Sequence, residues 1–199
     1  MSRLNELKKH LKTGQVYRRA DLEQWSNAVD RHIGMLVKEG MLQKLSQGLY
    51  YYPRQTVFGV TPPDEESLVR SFLKDDEFLL SSPNAYNSLG VGTTQLYNKR
   101  VVYNHKRHGT FELGGRKFFF HMKPRFPKAL TPEFLLVDLV NNLDELAEDP
   151  KEVLSNVQRK ALTMDLKRLK HSVKTYGGVR ARKVFMPLLS AIEESQYAH

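Results

Sequence analysis

Between Tyr17 and Pro53 the apolar side chains fall into one order of elements: helix, turn, helix, two-stranded hairpin. The second helix is the best defined. Val29, Ile33, Leu36 and Val37 recur at spacings of four, three and one, which puts them on one helical stripe. Ser26 precedes them as the expected N-cap, because a serine oxygen can accept from the free amides of a first turn. Gly40 follows Lys38 and Glu39 and suits the left-handed position that ends a helix. Leu42–Leu45 and Leu49–Tyr52 then read as strands around Ser46, Gln47 and Gly48, with glycine supplying the positive φ of a short connection. A short helix at about Arg18 to Gln24 and a turn at Trp25 come first. This is the order of a winged helix-turn-helix.

In such an arrangement the second helix enters the major groove and offers its first turns to base edges. Those turns supply Ser26, Asn27, Asp30 and Arg31. Arginine can pair with guanine and asparagine with adenine, so the residue types suit direct readout. Asp30 would read a cytosine amino group or hold Arg31. Arg18 and Arg19 before the first helix, and Lys44 and Gln47 on the wing, are the expected phosphate contacts. The competing reading is a winged helix used for protein contacts, since a fold does not dictate a function.

Charge points the same way. The chain of 199 residues has 31 basic and 22 acidic side chains, a net charge of +9 and a pI near 9.6, a balance that favours polyanions and predicts salt-sensitive binding. Its distribution is uneven. Residues 98–128 carry nine basic side chains and one acidic, whereas residues 61–97 carry two and six, and residues 129–150 carry none and six. Within the basic block Lys99, Arg100, Lys106, Arg107 and Arg116 are candidates for an extended DNA contact or a contact with an acidic partner surface.

The absence of cysteine removes disulfides, thiol nucleophiles and cysteine-based zinc sites. No apolar run approaches the ~20 residues of a membrane span, and the N-terminus has no secretory pattern, so a cytoplasmic location is expected. Enzymatic constellations are weak. Gly90 and Gly92 lack the lysine and hydroxyl residue of a phosphate loop and neither follow a strand nor open a helix. His105 and His108 sit among cations without a flanking carboxylate, which with His121 makes a poor metal set. No catalytic, metal or cofactor residues are assigned.

The prolines at 62 and 63 divide the chain into residues 1–60, the DNA-binding domain, and residues 61–199, with residues 57–63 as a linker. The second part reads as a helix at Glu65–Leu73, a short helix at Pro83–Leu89, strands near 99–104, 110–113 and 116–122, then helices at 132–146, 151–170 and 179–195. Gly114 and Gly115 mark a hairpin turn. The expected class is α+β: an N-terminal winged helix-turn-helix followed by an α+β domain with a small antiparallel sheet and C-terminal helices.

Two runs carry a resemblance to a known family. Ser26–Gly40 with Leu45–Pro53, and Leu80–Gln95 with its Gly-Thr-Thr-Gln turn, resemble the AbiEi-type antitoxins of type IV (abortive-infection) bacterial toxin–antitoxin systems. The likeness spans roughly residues 10 to 125. It implies a DNA-binding repressor of its own toxin–antitoxin operon whose C-terminal domain counters a nucleotidyltransferase-like toxin. Operator DNA and that toxin are the implied partners. The alternative is a stand-alone winged-helix transcriptional regulator whose C-terminal domain binds a ligand or partner.

Overall fold

The computed structural model describes residues 3–197, a mixed α+β chain with small antiparallel sheets. It divides into two compact units. One runs to Phe78 and takes in Lys106–Phe118; the other comprises Leu79–His105 and the chain from Phe119. The Pro62-Pro63 break lies inside the first unit.

The first unit begins with α1 (Arg3–His10), β1 (Val16–Arg18), α2 (Arg19–Glu23), α3 (Val29–Lys38), β2 (Gln43–Ser46) and β3 (Leu49–Tyr51). The three strands form an antiparallel sheet ordered β1-β3-β2, with Val16 opposite Tyr51 and Lys44 opposite Tyr50. Leu7, Leu22, Val29, Ile33, Leu36 and Leu42 close one core between helices and sheet. Each such side chain contributes about 1.5–3 kcal/mol of transfer free energy, set against the entropy of ordering it.

Three local expectations are corrected here. Helix α3 starts at Val29 with Ala28 at the cap position, so Ser26 is not its N-cap. The Ser26 oxygen instead accepts from the Ala28 N–H (3.2 Å) and lies 2.7 Å from His32 Nδ1. That hydrogen bond allows His32 into the buried stripe, while Val37 turns outward. The stretch expected to be a linker forms an antiparallel hairpin, β4 (Arg54–Thr56) and β5 (Gly59–Thr61). Its turn is held by Thr56, whose hydroxyl donates to the Gly59 carbonyl (2.8 Å) and accepts from the Phe58 N–H (3.3 Å). At the tip Val57 and Phe58 are 94% and 98% exposed. Helix α4 (Glu65–Leu73) follows, capped by Asp64, which accepts from the Ser67 N–H.

Strands β6 (Phe78–Ser81), β7 (Arg100–Asn104), β8 (Gly109–Leu113) and β9 (Arg116–Met122) form a sheet ordered β6-β7-β9-β8. Gly114 and Gly115 join β8 to β9 with φ of +59° and +75°, the conformation that a tight hairpin requires.

The second unit is organised around α5 (Pro132–Asn141), a helix buried from Glu133 through Val140. Thr131 caps it, accepting from the Phe134 N–H. The helix expected at 151–170 is two helices, α6 (Pro150–Ala161) and α7 (Leu166–Tyr176). They separate because Asp165 accepts from the Arg168 N–H (3.0 Å) and starts a new helix. The last is α8 (Val179–Tyr197). Leu136, Val137, Val140, Val157, Leu169, Val173 and Phe185 pack as one apolar cluster.

Candidate nucleic-acid interface

Three pieces of the first unit meet at Arg19. Its backbone N–H donates to the Gly48 carbonyl at the β2–β3 turn (2.8 Å), which ties the start of α2 to that turn. Its side chain crosses to α3: Nε donates to Asp30 Oδ1 (2.7 Å) and Nη2 to Asp30 Oδ2 (2.8 Å), while Nη1 reaches Glu23 (2.8 Å). The hydrogen bonds Arg19 donates to Asp30 and Glu23 push its pKa further up, and Arg19 holds Asp30 below the usual carboxylate range.

Arg18 is likewise engaged. Its backbone N–H and its guanidinium both donate to Asp21, closing the first turn of α2. Ser26 is 7% exposed and belongs to the interior. Asn27 and Arg31 are exposed at the start of α3, and Arg31 makes no ion pair among the described residues. On the hairpin Lys44 donates to Gln47 (3.2 Å), both exposed. Of eight side chains expected to face nucleic acid, Asn27, Asp30, Arg31, Lys44 and Gln47 are exposed, and Asp30 is paired with Arg19. Arg18, Arg19 and Asp30 are bound to one another's neighbours or to each other.

Beside them lies a groove of about 330 Å³ lined by Arg18, Arg19, Gln47, Phe72, Lys74 and Arg107, without a carboxylate on its wall. Arg107 stacks its guanidinium over the Phe72 ring, 4.7 Å from the centroid. Three other cations of the basic block pair with the acidic blocks that flank it in sequence. Lys106 pairs with Asp75 (3.0 Å), Arg116 with Glu65 (2.9 Å) and Lys99 with Glu145. Arg100 donates to Asn98 (3.2 Å). Sequence blocks of alternating sign thus become intramolecular pairs, which at exposed positions contribute little stability but cancel charge that a polyanion would need.

No protein-family model matches the chain, and no curated protein does either. Among solved structures it is similar to the crystal structure of the RV2827C protein from Mycobacterium tuberculosis. The TM-score is 0.58 at 18% sequence identity, over 94% of this chain and 74% of that one. At this identity the likeness concerns the fold and carries no activity across.

Two polar clusters of the second unit went unread in the sequence. Asp138 is 4% exposed in the middle of α5. Tyr86 O–H donates to it (2.7 Å), as does Tyr103 O–H (2.8 Å), and the Asn142 amide donates to both hydroxyls. Burial pushes the Asp138 carboxyl up, against those hydrogen bonds and the charge of Lys123. An adjoining cavity of about 20 Å³ has room for one water. The signal for this cluster was available: Asp138 interrupts the apolar run from Phe134 to Val140.

The second cluster explains the loop of Gly90 and Gly92. Glu148 accepts from the Thr94 and Gln95 N–H groups (3.1 and 3.2 Å) and from Tyr97 O–H (2.9 Å). The amides of this loop do hold an anion, and it is the chain's own carboxylate. Partial burial raises the Glu148 pKa, but these hydrogen bonds outweigh it and the net shift is downward. Of the three histidines, His105 stacks on Phe126 (4.6 Å) and His121 lies 6.0 Å from Tyr103, ring to ring.

No helix among the described residues is long and apolar enough to cross a membrane.

Proposed function

We propose that the N-terminal part of the chain is a winged helix-turn-helix that binds duplex operator DNA through α3 and the β2–β3 wing. On this reading the protein is an antitoxin that represses its own toxin–antitoxin operon and counters a nucleotidyltransferase-like toxin. The observation that carries the DNA half is the joint at Arg19. One residue touches the wing turn through its backbone and the start of α3 through its side chain, so helix and wing adjoin along one edge beside a cationic groove. The element order α1-β1-α2-α3-β2-β3 and the sheet order β1-β3-β2 suit such a fold. The antitoxin half rests on the resemblance of residues 26–53 and 80–95 to the AbiEi type.

The roles divide by geometry. Asn27 and Arg31 reach base edges; Lys44 and Gln47 touch phosphates from the wing. Asp30 is silenced by Arg19, and Ser26 supports the helix start from inside. A gel-shift titration with the chain's own promoter region tests the reading. Arg31→Ala should lose about 1–3 kcal/mol on the specific site and less on random DNA. Equal binding of promoter and random duplex by the unmodified protein would sink it. The toxin half is tested separately: a neighbouring gene for a nucleotidyltransferase is expected, whose toxicity on expression this chain relieves, read as growth.

A further inference from the structure

In the second unit a cavity of about 380 Å³ opens where the Lys123–Arg125 bend meets the α7–α8 turn. Lys123, Arg125, Arg180 and Arg182 all line it, and none of its lining residues is a carboxylate. Four cations around one small volume repel one another; Asp144 at the rim offsets one of them, and the positive charge that remains favours a further anion. Its position sharpens the imbalance. Arg180 and Arg182 occupy the first turn of α8, the positive end of the helix dipole, where the turn has no acidic residue.

The turn itself is built to stay open. Gly178 stands ahead of α8 and has no side chain with which to cap the amides of Val179, Arg180 and Ala181. Its own N–H donates to Asn141 Oδ1 (2.8 Å), and the Asn141 amide donates to the Tyr176 carbonyl (3.0 Å), so one side chain pins both ends of the turn. A Cβ on Gly177 would collide with the Val173 carbonyl oxygen, and one on Gly178 would come within 3.0 Å of Asn141. Arg180 pairs with Asp144 at the rim (2.6 Å), and Arg182 donates to the Lys174 carbonyl (3.2 Å). An exposed pair of that kind is weak and exchangeable.

We propose that this cavity is a binding site for the phosphates of a small anionic ligand, a di- or triphosphate of nucleotide type, held by Arg125, Arg180 and Arg182 with Lys123 behind them. Its volume falls within the range of small-molecule sites, and guanidinium groups pair with phosphate oxygens through two parallel hydrogen bonds. The site stands apart from the α3 edge in sequence and in unit, so it does not depend on the DNA reading. It also gives a stand-alone regulator a definite place for its ligand.

Calorimetric titration of the full chain with sodium pyrophosphate, at ionic strength matched with sodium chloride, tests it. Saturable binding at one site per chain is expected. Arg125→Ala and Arg182→Ala should each weaken it about tenfold or more, the loss expected for a hydrogen bond to a charged group. Lys128→Ala and Lys183→Ala, which alter cations outside the cavity lining, should leave it unchanged. No saturable binding, or equal binding by the Arg125→Ala/Arg182→Ala double variant and the parent, overturns the site. A 5′-phosphorylated single-stranded oligonucleotide and its dephosphorylated form identify the source. Binding of both by the parent but not by the double variant would assign the cavity to nucleic-acid phosphates and overturn the small-ligand assignment. Pyrophosphate binding without either oligonucleotide supports it.

Discussion

Arg19 holds Asp30 with two parallel hydrogen bonds, Nε to Oδ1 and Nη2 to Oδ2, at 2.7 and 2.8 Å. The two residues lie on different helices, α2 and α3, so the pair bridges them at the surface. It also compensates the charge of Asp30, which stays exposed at the start of α3.

That arrangement gives Arg19 a partner whose variant separates its roles. As a phosphate contact, its loss would only shed one cation. As the partner of Asp30, its loss also leaves that carboxylate uncompensated. Arg19→Ala should therefore weaken specific and random duplex alike and make the salt slope shallower by about one unit. Asp30→Asn should strengthen both and steepen the slope by about one. In the double variant the slope should return close to that of the parent. Filter binding between 50 and 200 mM salt reads all three.

Gly34 gives a second test. It lies inside α3 on the exposed face, and a Cβ built there meets nothing within 4 Å. Gly34→Ala should raise stability by about 0.5–1 kcal/mol, because glycine costs a helix interior backbone entropy. If the α3 face approaches a base pair closely, the same methyl should lower operator affinity. A variant more stable in urea with unchanged operator binding would show that DNA does not pass over this turn.

The Asp138 cluster predicts an order of effects. Tyr103→Phe removes one hydrogen bond from a buried carboxylate and should cost about 2 kcal/mol. Asp138→Ala strands two tyrosine hydroxyls and should cost about 3 kcal/mol or more. Asp138→Asn keeps one acceptor oxygen and should cost less than alanine. Urea unfolding of the three variants measures the order.

Two carboxylates act on the pH profile with opposite sign. Glu148 is held below its usual range, so its contribution is present above about pH 4.3, the unfolded value, and is lost as pH falls through its lower folded value. Asp138 is raised by burial, so the fold favours its protonated form. Its contribution is complete below about pH 3.9 and is lost as pH rises through its higher folded value. Melting temperature against pH should thus flatten on the acid side in Glu148→Gln and flatten on rising pH in Asp138→Asn. Identical profiles for both variants and the parent would remove these two groups from the balance.

The sequence disclosed what is written in local periodicity. The α3 stripe and the Gly114-Gly115 hairpin follow from spacing and turn chemistry that neighbouring residues decide, as does the start of α5, whose helix ends at Asn141 rather than at residue 146. It hid what depends on residues far apart. Nothing near Arg19 announces Asp30 eleven residues on, and nothing near Lys106 announces Asp75. Charge counts could not separate a binding surface from a set of internal pairs. The hairpin at residues 54–61 was masked by the prolines that flank it, Pro53, Pro62 and Pro63, and by the exposure of both faces, which leaves no alternation of apolar and polar residues to read. The cavity at the α7–α8 turn draws its cations from segments more than fifty residues apart, and only folding brings Lys123 to Arg182.

That hairpin has a practical side. Neither of its strands buries a residue, and its turn projects Val57 and Phe58 almost wholly into solvent. The chain contains no cysteine. Val57→Cys would therefore give a molecule with a single thiol, open to maleimide dyes and spin labels, on a strand pair that the core does not use. A fluorophore there would report the tumbling of the first unit and how it slows when something large is bound.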